Sequence, residues 1–423
     1  MKKKYIILFF FIFTCGFFIG DFESQGKFRN LTRTIDFYLK KFNLIQTKKI
    51  ISKEDLKELA EVKVLKANSF DLKIEEFLNI RNIKKNSYIK TAAFQMNKID
   101  DKVSYKIFIQ NGLKIDNKNI EKLVLPKTIY PEFNGGLKSV FTIEENDYAL
   151  ISNKKKNCVF ASIINLTKSV ELFKSKCLPI DLINEKPDFN GIGGAVTSID
   201  DDIYLTIGTP ESRSEKIREL AQSNTSIFGK VLKISKKDLL IIEKNNLKYS
   251  IFSIGHRNPQ GIVEINKKIF STEHGPQGGD ELNVIIFGKN YGWPLKSYGT
   301  RYDNGKSFKY NNKIKNYQEP IYTFVPSIAP SSLSVCPKNL ENYYLENVCL
   351  MSLSLREQSL FIILLDNDNF MVQGIEQIRI GKRLRHFAVD SNIKTFFIDN
   401  SFFVSTDSRD NLKILKLGFL NFR

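Results

Sequence analysis

The sequence has few of the residues that usually bind transition metals. It contains three histidines and five cysteines in 423 residues, and no two cysteines have Cys-x-x-Cys spacing. Zinc sites are built from closely spaced sets of these two residue types. The sequence therefore gives no sign of a Cys/His metal site.

Helical periodicity is also scarce. In the body of the chain it is strong only near residues 214–222. From about residue 60 onward, short runs of β-branched and aromatic residues recur instead, each after a turn of Asp, Asn or Lys. The sequence therefore predicts an all-β fold.

Five of these runs share one signature, a turn followed by three or four apolar residues and then Ser, Thr or Gly. They recur about every 64 residues, which is typical of a propeller with several strands per unit. The five are EENDYALISN (144–153), IDDDIYLTIG (199–208), INKKIFSTEHG (265–275), LENVCLMSLS (345–354) and IDNSFFVSTDS (398–408).

Acidic residues are outnumbered, with 46 Asp and Glu against 64 Lys and Arg and a formal net charge of +18. Such a balance can indicate a nucleic-acid or anionic lipid partner. Here the lysines are scattered over predicted turns, and no nucleic-acid-binding motif accompanies them. We therefore expect a solvated, lysine-rich surface and no nucleic-acid partner.

A long apolar run is found at the N-terminus. Three lysines at 2–4 precede residues 5–19, the order of a secretory signal. The run is shorter than the ~20 residues that span a bilayer comfortably, and no small-residue cleavage site follows it. With the lysines inside, the rest of the chain would be exported. We expect a periplasmic protein that residues 5–19 anchor to the inner membrane.

The chain then divides into three segments. Residues 1–20 are the signal or anchor, and residues 61–423 are the propeller. Between them, residues 21–60 are polar and lysine-rich, with apolar positions at helical spacing near their end, including Leu56 and Leu59. This spacing predicts a stalk or short helix leading away from the membrane.

Four cysteines lie outside the apolar run. They allow three pairings, and sequence alone does not choose among them. The local pairs Cys158–Cys177 and Cys336–Cys349 are the simplest, and each would close a short loop worth ~3 kcal/mol in the chain-entropy model. Free buried thiols are the alternative.

Two glycine- and proline-rich segments stand out, GHRNPQG at 255–261 and EHGPQGGDELNVIIFGKNYGWP at 273–294. Glycine and proline at this density fix irregular backbone, and irregular backbone on a rigid scaffold is where ligand sites usually lie. The two segments also carry several charged and amide side chains and the chain's one tryptophan, Trp293. We interpret them as parts of a single site.

These segments resemble the motifs of the soluble quinoprotein glucose dehydrogenases, also called aldose sugar or glucose/sorbosone dehydrogenases. IYLTIG, FGKVLKI, PSIAPSS and RLRHF follow in the order of that family, so the resemblance covers about residues 185–420. It implies a six-bladed propeller that uses pyrroloquinoline quinone (PQQ) and calcium to oxidise a small sugar. The electron acceptor stays unknown.

The resemblance also implies roles for residues in the glycine-rich segments. Arg257 and Asn258 would contact the reactive carbonyl of the quinone, where a guanidinium and an amide can stabilise negative charge. His274 would face the cofactor. The carbonyl oxygens of Gly275 and Pro276 would bind the calcium, which accepts backbone oxygens in irregular geometry.

Further roles follow outside those positions. Arg383 and Arg385 match an arginine pair that holds the quinone carboxylates, a task suited to guanidinium groups. They alternate on a predicted strand and therefore face the same side. Asp280 and Glu281 either support the calcium loop, hold a metal or are solvated loop carboxylates.

The chain departs from the family at positions that carry the chemistry. The catalytic base of the family, a histidine, falls on Asn190, and an amide cannot act as a general base. Asp188 is the carboxylate that we nominate as its substitute. Thr209 stands where the family has an aspartate. Ser354 stands where it often has a lysine, and Arg356 could supply the missing cation.

Two functions are consistent with this pattern. The first is a membrane-anchored, PQQ- and calcium-dependent dehydrogenase that transfers hydride from C1 of an aldose to the quinone on the extracytoplasmic side. The second is a non-catalytic propeller that retains a ligand or metal site as a binding or structural module. Gly191, Gly193 and Gly194 favour a ligand pocket in both cases, because they permit close backbone approach.

Overall fold

The computed structural model describes most of the chain after residue 55. The described residues are 56–57, 62–81, 89–100, 102–117, 119–132, 134–181, 189–212, 214–302, 304–308, 317–408 and 411–423. The chain separates into two units, Ile51–Arg301 with Gly305–Arg423, and Met1–Ile50 with Tyr302–Asn304. Every strand described below belongs to the former unit.

The described strands form six antiparallel sheets, the blades of a propeller. The first three blades are each continuous in sequence. Blade 1 has β4 (Thr91–Ile99), β5 (Lys102–Ile109), β6 (Leu113–Asp116) and β7 (Asn119–Lys122); blade 2 has β8 (Leu137–Ile143), β9 (Asn146–Lys155), β10 (Cys158–Asn165), β11 (Val170–Lys174) and β12 (Leu178–Pro179); blade 3 has β13 (Gly193–Ile199), β14 (Asp202–Ile207), β15 (Lys230–Ser235) and β16 (Ser250–Ile254).

The sixth blade differs because it combines both ends of the described chain. Blade 4 has β17 (Pro259–Ile265), β18 (Lys268–Glu273), β19 (Asp280–Ile285) and β20 (Tyr322–Phe324); blade 5 has β21 (Pro330–Val335), β22 (Asn347–Ser354), β23 (Ser359–Asp366) and β24 (Val372–Arg379); blade 6 has β25 (Arg383–Phe387), β26 (Phe397–Ile398), β27 (Ser401–Asp407) and β28 (Asn411–Leu420) with β1 (Leu56–Lys57), β2 (Val62–Lys66) and β3 (Asp71–Arg81).

The pairing of β3 with β28 closes the ring. It runs from Asn411 opposite Arg81 to Leu420 opposite Asp71. The first strand of each blade lies innermost, and β4, β8, β13, β17, β21 and β25 follow one another around the centre. The prediction of an all-β, six-bladed propeller is therefore confirmed.

A separate apolar cluster lies between each pair of neighbouring blades. The largest joins blades 2 and 3 and includes Phe141 and Leu205. The other five fill the remaining interfaces around the ring. Both faces of a blade are buried against neighbours, so its strands need apolar residues on both sides.

All five repeated segments begin the second strand of a blade, namely β9, β14, β18, β22 and β27. Each repeated segment therefore corresponds to one blade. The corresponding strand of blade 1, β5, was not recognised, because its polar positions Ser104 and Lys106 interrupt the apolar run.

Among the residues that the structure describes, helices are few and short. The stretch predicted near residues 214–222 forms an α-helix at Glu215–Arg218 and a 3-10 helix at Glu219–Gln222. Other short helices are Phe189–Ile192, Lys236–Leu240 and Lys338–Tyr343. No helix among the described residues is long and apolar enough to cross a membrane.

The structure corrects the prediction for the end of the stalk. Leu56 and Lys57 form a strand that pairs with β3, as Val62–Lys66 also does, so the helical spacing did not produce a helix there. Pairing with an existing strand edge satisfies backbone groups that a short polar helix would leave exposed to water. The anchor at residues 5–19 and most of the stalk lie outside the described residues.

The predicted local disulfides are confirmed. Cys158 bonds to Cys177, and Cys336 bonds to Cys349. In the second bond, Cys336 directly follows β21, the inner strand of blade 5, and Cys349 lies in the adjacent strand β22. Each bond closes a short loop within one blade rather than linking different blades.

Candidate active site at the centre of the propeller

Polar contacts join neighbouring blades around the centre of the propeller. Each contact lies at or near the first residues of an inner strand, so these ends meet around the centre. They are Lys138 Nζ to the Phe189 carbonyl (3.1 Å), Thr206 Oγ1 to the Pro259 carbonyl (3.1 Å), His274 Nε2 to the Pro330 carbonyl (2.7 Å), Ser331 Oγ to the Leu384 carbonyl (2.7 Å) and His386 Nε2 to the Thr91 carbonyl (3.1 Å).

Arg257, just before β17, lies in this region and is 7% exposed. Its Nη1 donates to the carbonyls of His274 (3.0 Å) and Gly275 (2.7 Å). Its Nη2 donates to Glu211 Oε2 at 2.8 Å, and its guanidinium lies 5.3 Å from the centre of the Trp293 ring. Charge-assisted hydrogen bonds on two sides fix the guanidinium in place.

Asn258 follows Arg257 and is also buried, at 4% exposed. Its side-chain oxygen accepts a hydrogen bond from Gln260 Nε2 at 2.7 Å, and its carbonyl accepts one from the His274 backbone N–H at 3.0 Å. The structure therefore brings the predicted residues Arg257, Asn258, His274 and Gly275 together.

Asp280 organises the loop that begins at Gly275. Its Oδ1 accepts from the Gly275 N–H and from Ser327 Oγ, both at 3.0 Å, and its Oδ2 accepts from the Ala329 N–H at 2.7 Å. A Cβ on Gly275 would lie 2.0 Å from the Gly279 carbonyl oxygen, so the turn requires glycine. Of the predicted roles for Asp280, support of the loop is the one that its contacts and its burial favour.

The predicted metal ligands are backbone groups in the same loop. Gly275 and Pro276 are both buried. The Gly275 carbonyl accepts from Arg257 at 2.7 Å, whereas no described residue donates to the Pro276 carbonyl. No group of three or more His, Cys, Asp or Glu within the described ranges could hold a metal ion. An ion at this loop would therefore take carbonyl oxygens, which suits calcium.

His256 is fully buried, and both of its ring nitrogens have partners. Nε2 lies 2.8 Å from Ser253 Oγ and Nδ1 lies 3.0 Å from Glu273 Oε2, while the Tyr291 ring stacks on the imidazole at 4.6 Å. The contacts have the order of a Ser-His-acid triad. Because the imidazole is 0% exposed, substrate cannot reach it, and its hydrogen bonds are internal to the protein.

His274 connects blades 4 and 5. Its Nε2 lies 2.7 Å from the Pro330 carbonyl, which can only accept, so Nε2 carries the hydrogen. Burial lowers the pKa of His274 against the opposing charge of Asp280, and the ring is therefore neutral at neutral pH.

Glu281 is a buried acid beside the same loop, opposite Glu273 in the β18–β19 ladder. Burial, and next the charge of Glu273, raise the pKa of Glu281 well above its ordinary value, and Asn283 Nδ2 donates to it at 3.2 Å. Among the described residues, the hydrogen-bond partner of the Glu281 side chain is therefore Asn283, on the same strand β19.

Arg385 pairs with a buried acid, Asp407 on β27, and Arg383 lies opposite Asp407 in the ladder of β25 and β27. Arg385 donates to Asp407 Oδ2 through Nε at 2.9 Å and also through Nη2. Burial raises the pKa of Asp407, but the charge and hydrogen bonds of Arg385 outweigh it, so the pKa lies below its ordinary value. Arg383 donates to the Leu355 carbonyl at 3.2 Å, and with Asp407 it lines a cleft of about 260 Å³.

The segment that carries the missing base packs directly on this region. Asn190 lies in the short helix Phe189–Ile192, but its side chain and the whole of Asp188 lie outside the described residues. A Cβ on Gly191 would lie 1.8 Å from the Thr209 carbonyl oxygen, and one on Gly193 would lie 2.5 Å from the Pro259 carbonyl oxygen. The close backbone approach predicted for these glycines is confirmed.

The other departures have structural partners. Thr209 Oγ1 donates to the His256 carbonyl at 3.0 Å, and Ser354 Oγ donates to the Ile328 carbonyl at 2.5 Å. Arg356 pairs with Glu357 at 3.8 Å and its side chain is 60% exposed. Arg356 is therefore exposed to solvent and does not supply a buried cation to the site.

Sequence reasoning missed Glu211. It lies in the long connection between β14 and β15. Lys230 holds this connection in place, because its Nζ donates to the carbonyls of Leu220 (2.9 Å), Ala221 (2.8 Å) and Phe228 (2.7 Å). Burial lowers the pKa of Lys230 to about 7. No motif marks Glu211, because only the folded loop brings it to Arg257.

Comparison with known proteins agrees with the fold. The family model for Glucose / Sorbosone dehydrogenase matches residues 150–411. The aldose sugar dehydrogenase YliI of Escherichia coli is 28% identical over 204 residues, 46% of this chain and 53% of that protein. Quinoprotein glucose dehydrogenase B of Acinetobacter calcoaceticus is 31% identical over 152 residues, 31% of each chain. The matched regions thus span about half or less of these relatives.

A solved structure shows the same fold. The PQQ-bound aldose sugar dehydrogenase of Streptomyces coelicolor superposes with a TM-score of 0.52 at 16% identity, covering 82% of this chain and 98% of that one. The family match extends over more than half of the chain and includes all the glycine-rich motifs. The chain therefore belongs to the glucose/sorbosone dehydrogenase family.

Proposed function

We propose that this protein oxidises an aldose sugar at C1 with PQQ as the oxidant and calcium as the activating metal. The observation that carries the proposal is the buried Arg257 guanidinium, held 2.7 Å from the Gly275 carbonyl at the centre of the propeller. The membership of the chain in the glucose/sorbosone dehydrogenase family also supports the proposal. A fixed cation of this kind stabilises negative charge as a bound quinone accepts hydride.

The charges of the site suit a flat molecule with three carboxylates. Arg257, Arg383 and Arg385 lie at the same end of the inner strands, and guanidinium groups bind carboxylates in a two-point geometry. Arg385 is already paired with Asp407, which orients it and reduces its net charge. Arg383 is therefore the stronger candidate for a direct carboxylate contact.

The Gly275 loop suits a calcium ion that the bound cofactor helps to coordinate. Two consecutive carbonyls at Gly275 and Pro276 would supply protein ligands, and Asp280 holds the loop in shape. A carbonyl oxygen has two lone pairs, so the hydrogen bond from Arg257 leaves one for an ion. Calcium would withdraw electrons from the quinone and favour its reduction.

The chain's own residues would bind the sugar and exclude water. Arg257 and Asn258 would orient the reacting groups, and Glu211 and the carbonyls of His274 and Gly275 hold the Arg257 guanidinium in place. The neutral His274 would present its ring beside the calcium loop without adding a charge. Preorganised groups of this kind lower the barrier because they need no rearrangement during the reaction.

We also propose that the propeller works outside the cytoplasm, anchored by residues 5–19. The charged and apolar order of the N-terminus supports export. The disulfides Cys158–Cys177 and Cys336–Cys349 support an oxidising compartment, because such bonds are rare in the cytoplasm.

A second candidate function is a non-catalytic propeller that still binds PQQ or a metal. The observation that favours it is Asn190, since an amide at the position of the family's base cannot accept a proton. This candidate keeps the roles of Arg257, Arg383 and Gly275 in binding and removes only turnover.

The test is to purify the full-length chain in detergent, add calcium and PQQ, and measure both binding of the quinone by absorbance and dye reduction with a panel of aldoses. We expect binding and turnover, with binding weakened at least tenfold in Arg257→Gln. Binding without turnover on any sugar would establish the second candidate. Absence of binding, with no difference between Arg257→Gln and the unmodified chain, would contradict both.

A further inference from the structure

Glu211 is a solvent-accessible acid placed on the guanidinium of the site. Its Oε2 accepts from Arg257 Nη2 at 2.8 Å, and its side chain is 43% exposed. No described residue donates a hydrogen bond to its Oε1. One carboxylate oxygen is therefore held toward Arg257, and the other is left to take a proton.

The same acid adjoins the segment that should carry the base. A Cβ on Gly191 would lie 3.2 Å from the Glu211 backbone nitrogen and 1.8 Å from the Thr209 carbonyl oxygen. Gly191 follows Asn190 directly, so the Glu211 loop and the Asn190 turn pack backbone to backbone. Arg257 then links both to the Gly275 carbonyl.

The histidines are less suited to accept the proton. His256 is 0% exposed and has a partner on each ring nitrogen. His274 and His386 each use Nε2 on the carbonyl of a neighbouring blade, which ties the rings into the wall of the channel. Glu211 is the carboxylate that pairs with Arg257 within the described part of the chain.

We propose that Glu211 is the proton acceptor of the sugar oxidation, in place of the histidine that the family carries where this chain has Asn190. The inference rests on the proposed function. The C1 hydroxyl of the aldose gives its proton to Glu211 Oε1, the C1 hydrogen leaves with its electron pair to the quinone oxidant, and C1 becomes the carbonyl carbon of a lactone. The proton then passes from Glu211 to water at the exposed face.

The test uses Glu211→Gln in the full-length chain loaded with calcium and PQQ. Glutamine keeps an oxygen that can accept from Arg257 but cannot take a proton. We expect kcat to fall by about 10²- to 10⁴-fold, the usual contribution of a general base. The affinity for PQQ, measured by absorbance titration without sugar, should stay within about threefold. Glu219→Gln, an exposed acid on the same connection, is the matched control and should behave like the unmodified chain.

A gain-of-function variant sharpens the result. Adding Asn190→His to Glu211→Gln should restore at least a tenth of the lost turnover, because it returns a base to the neighbouring turn. The proposal is overturned if Glu211→Gln turns over normally, or if Asp188→Asn or His274→Gln abolishes turnover while Glu211→Gln does not. It is also overturned if Glu211→Gln loses PQQ affinity and turnover in parallel, since Glu211 would then only position Arg257. An unmodified chain without turnover overturns the proposed function itself, which separates the two failures.

Discussion

At the scale of single residues, the centre of this propeller contains buried polar and charged side chains that each have a hydrogen-bond partner. Arg257 is shared between Glu211 and two carbonyls, Arg385 is held by Asp407, and His256 is held by Glu273. A buried charge without a partner would cost several kcal/mol, so removing one member of a pair should cost more than removing a surface charge.

Glu281 gives a prediction with a definite sign. Because burial raises its pKa above the ordinary 4.5, the folded protein holds this proton at pH values where the unfolded chain has lost it. The stability that it contributes is therefore complete at low pH and is lost as pH rises, by at most about 1.4 kcal/mol per pH unit. Glu281→Gln should remove this loss and unfold at a higher urea concentration than the unmodified protein at about pH 8.

Glu273→Gln is the matched comparison, because it lies opposite Glu281 but pairs with His256. We expect it to destabilise the fold by about 1–3 kcal/mol, as expected when a buried hydrogen-bonded partner is lost. If Glu281→Gln were as destabilising as Glu273→Gln at about pH 8, the carboxyl group of Glu281 would be ionised and the reasoning about its burial would be wrong.

The pKa of His386 gives a second pH dependence. Burial, and next the charge of Arg385, lower it from 6.5 to about 4, against the opposing charge of Asp407. Between these values the unfolded chain binds a proton that the folded protein does not, so stability should fall as pH drops from about 6.5 to about 4. Urea unfolding of His386→Gln should show a shallower fall over that interval, and an equal slope would contradict the assignment.

At the scale of elements, the site depends on how closely the turn after Phe189 packs against the connection that carries Glu211. Gly191 allows this contact, and Gly208 lies on its other side, where a Cβ would be 1.9 Å from the Gly191 carbonyl oxygen. Side chains at either position would separate the two loops and move Glu211 away from Arg257.

We therefore expect Gly191→Ala to destabilise the protein by about 3 kcal/mol, since the added methyl meets backbone rather than a flexible side chain. Gly374→Ala is the control, because its Cβ would lie 3.8 Å from Leu364 Cδ1 and meet no backbone. Thermal unfolding of both variants would test this. Similar melting temperatures for the two would show that the Gly191 turn can move without cost.

At the scale of the whole molecule, the ring is closed by hydrogen bonds between the first long strand and the last. β3 fills the outer side of β28 along its whole length, and apolar clusters occupy all six blade interfaces. An open ring would expose the edge of β28 and one face of blade 6, which is a surface prone to aggregation.

Deleting residues 1–81 should therefore give a protein that aggregates, whereas deleting residues 1–55 removes no described strand and should leave a monomeric, cooperatively unfolding propeller. Size-exclusion chromatography and thermal unfolding would compare the two deletions. A soluble, cooperatively unfolding protein lacking residues 1–81 would contradict the role assigned to β3.

Patterns in the sequence predicted the β-propeller, favoured the local pairs as the simplest of three possible cysteine pairings, and grouped into one site the segments that carry Arg257, Asn258, His274, Gly275 and Pro276. These features are encoded locally, by apolar runs after turns, by short cysteine spacing and by glycines that only certain backbones need. The helix expected near Leu56 was wrong because the tertiary structure offered a strand edge at β3.

The partner of each charged side chain in the site depends on tertiary packing. Glu211 and Asp407 meet Arg257 and Arg385 through contacts between separate strands and loops, and no local pattern records such a meeting. The pKa shifts of Glu281 and His386 likewise follow from burial by distant segments. The local sequence determines which side chains are available to form a site, whereas long-range packing determines which of them lie within hydrogen-bonding distance of one another.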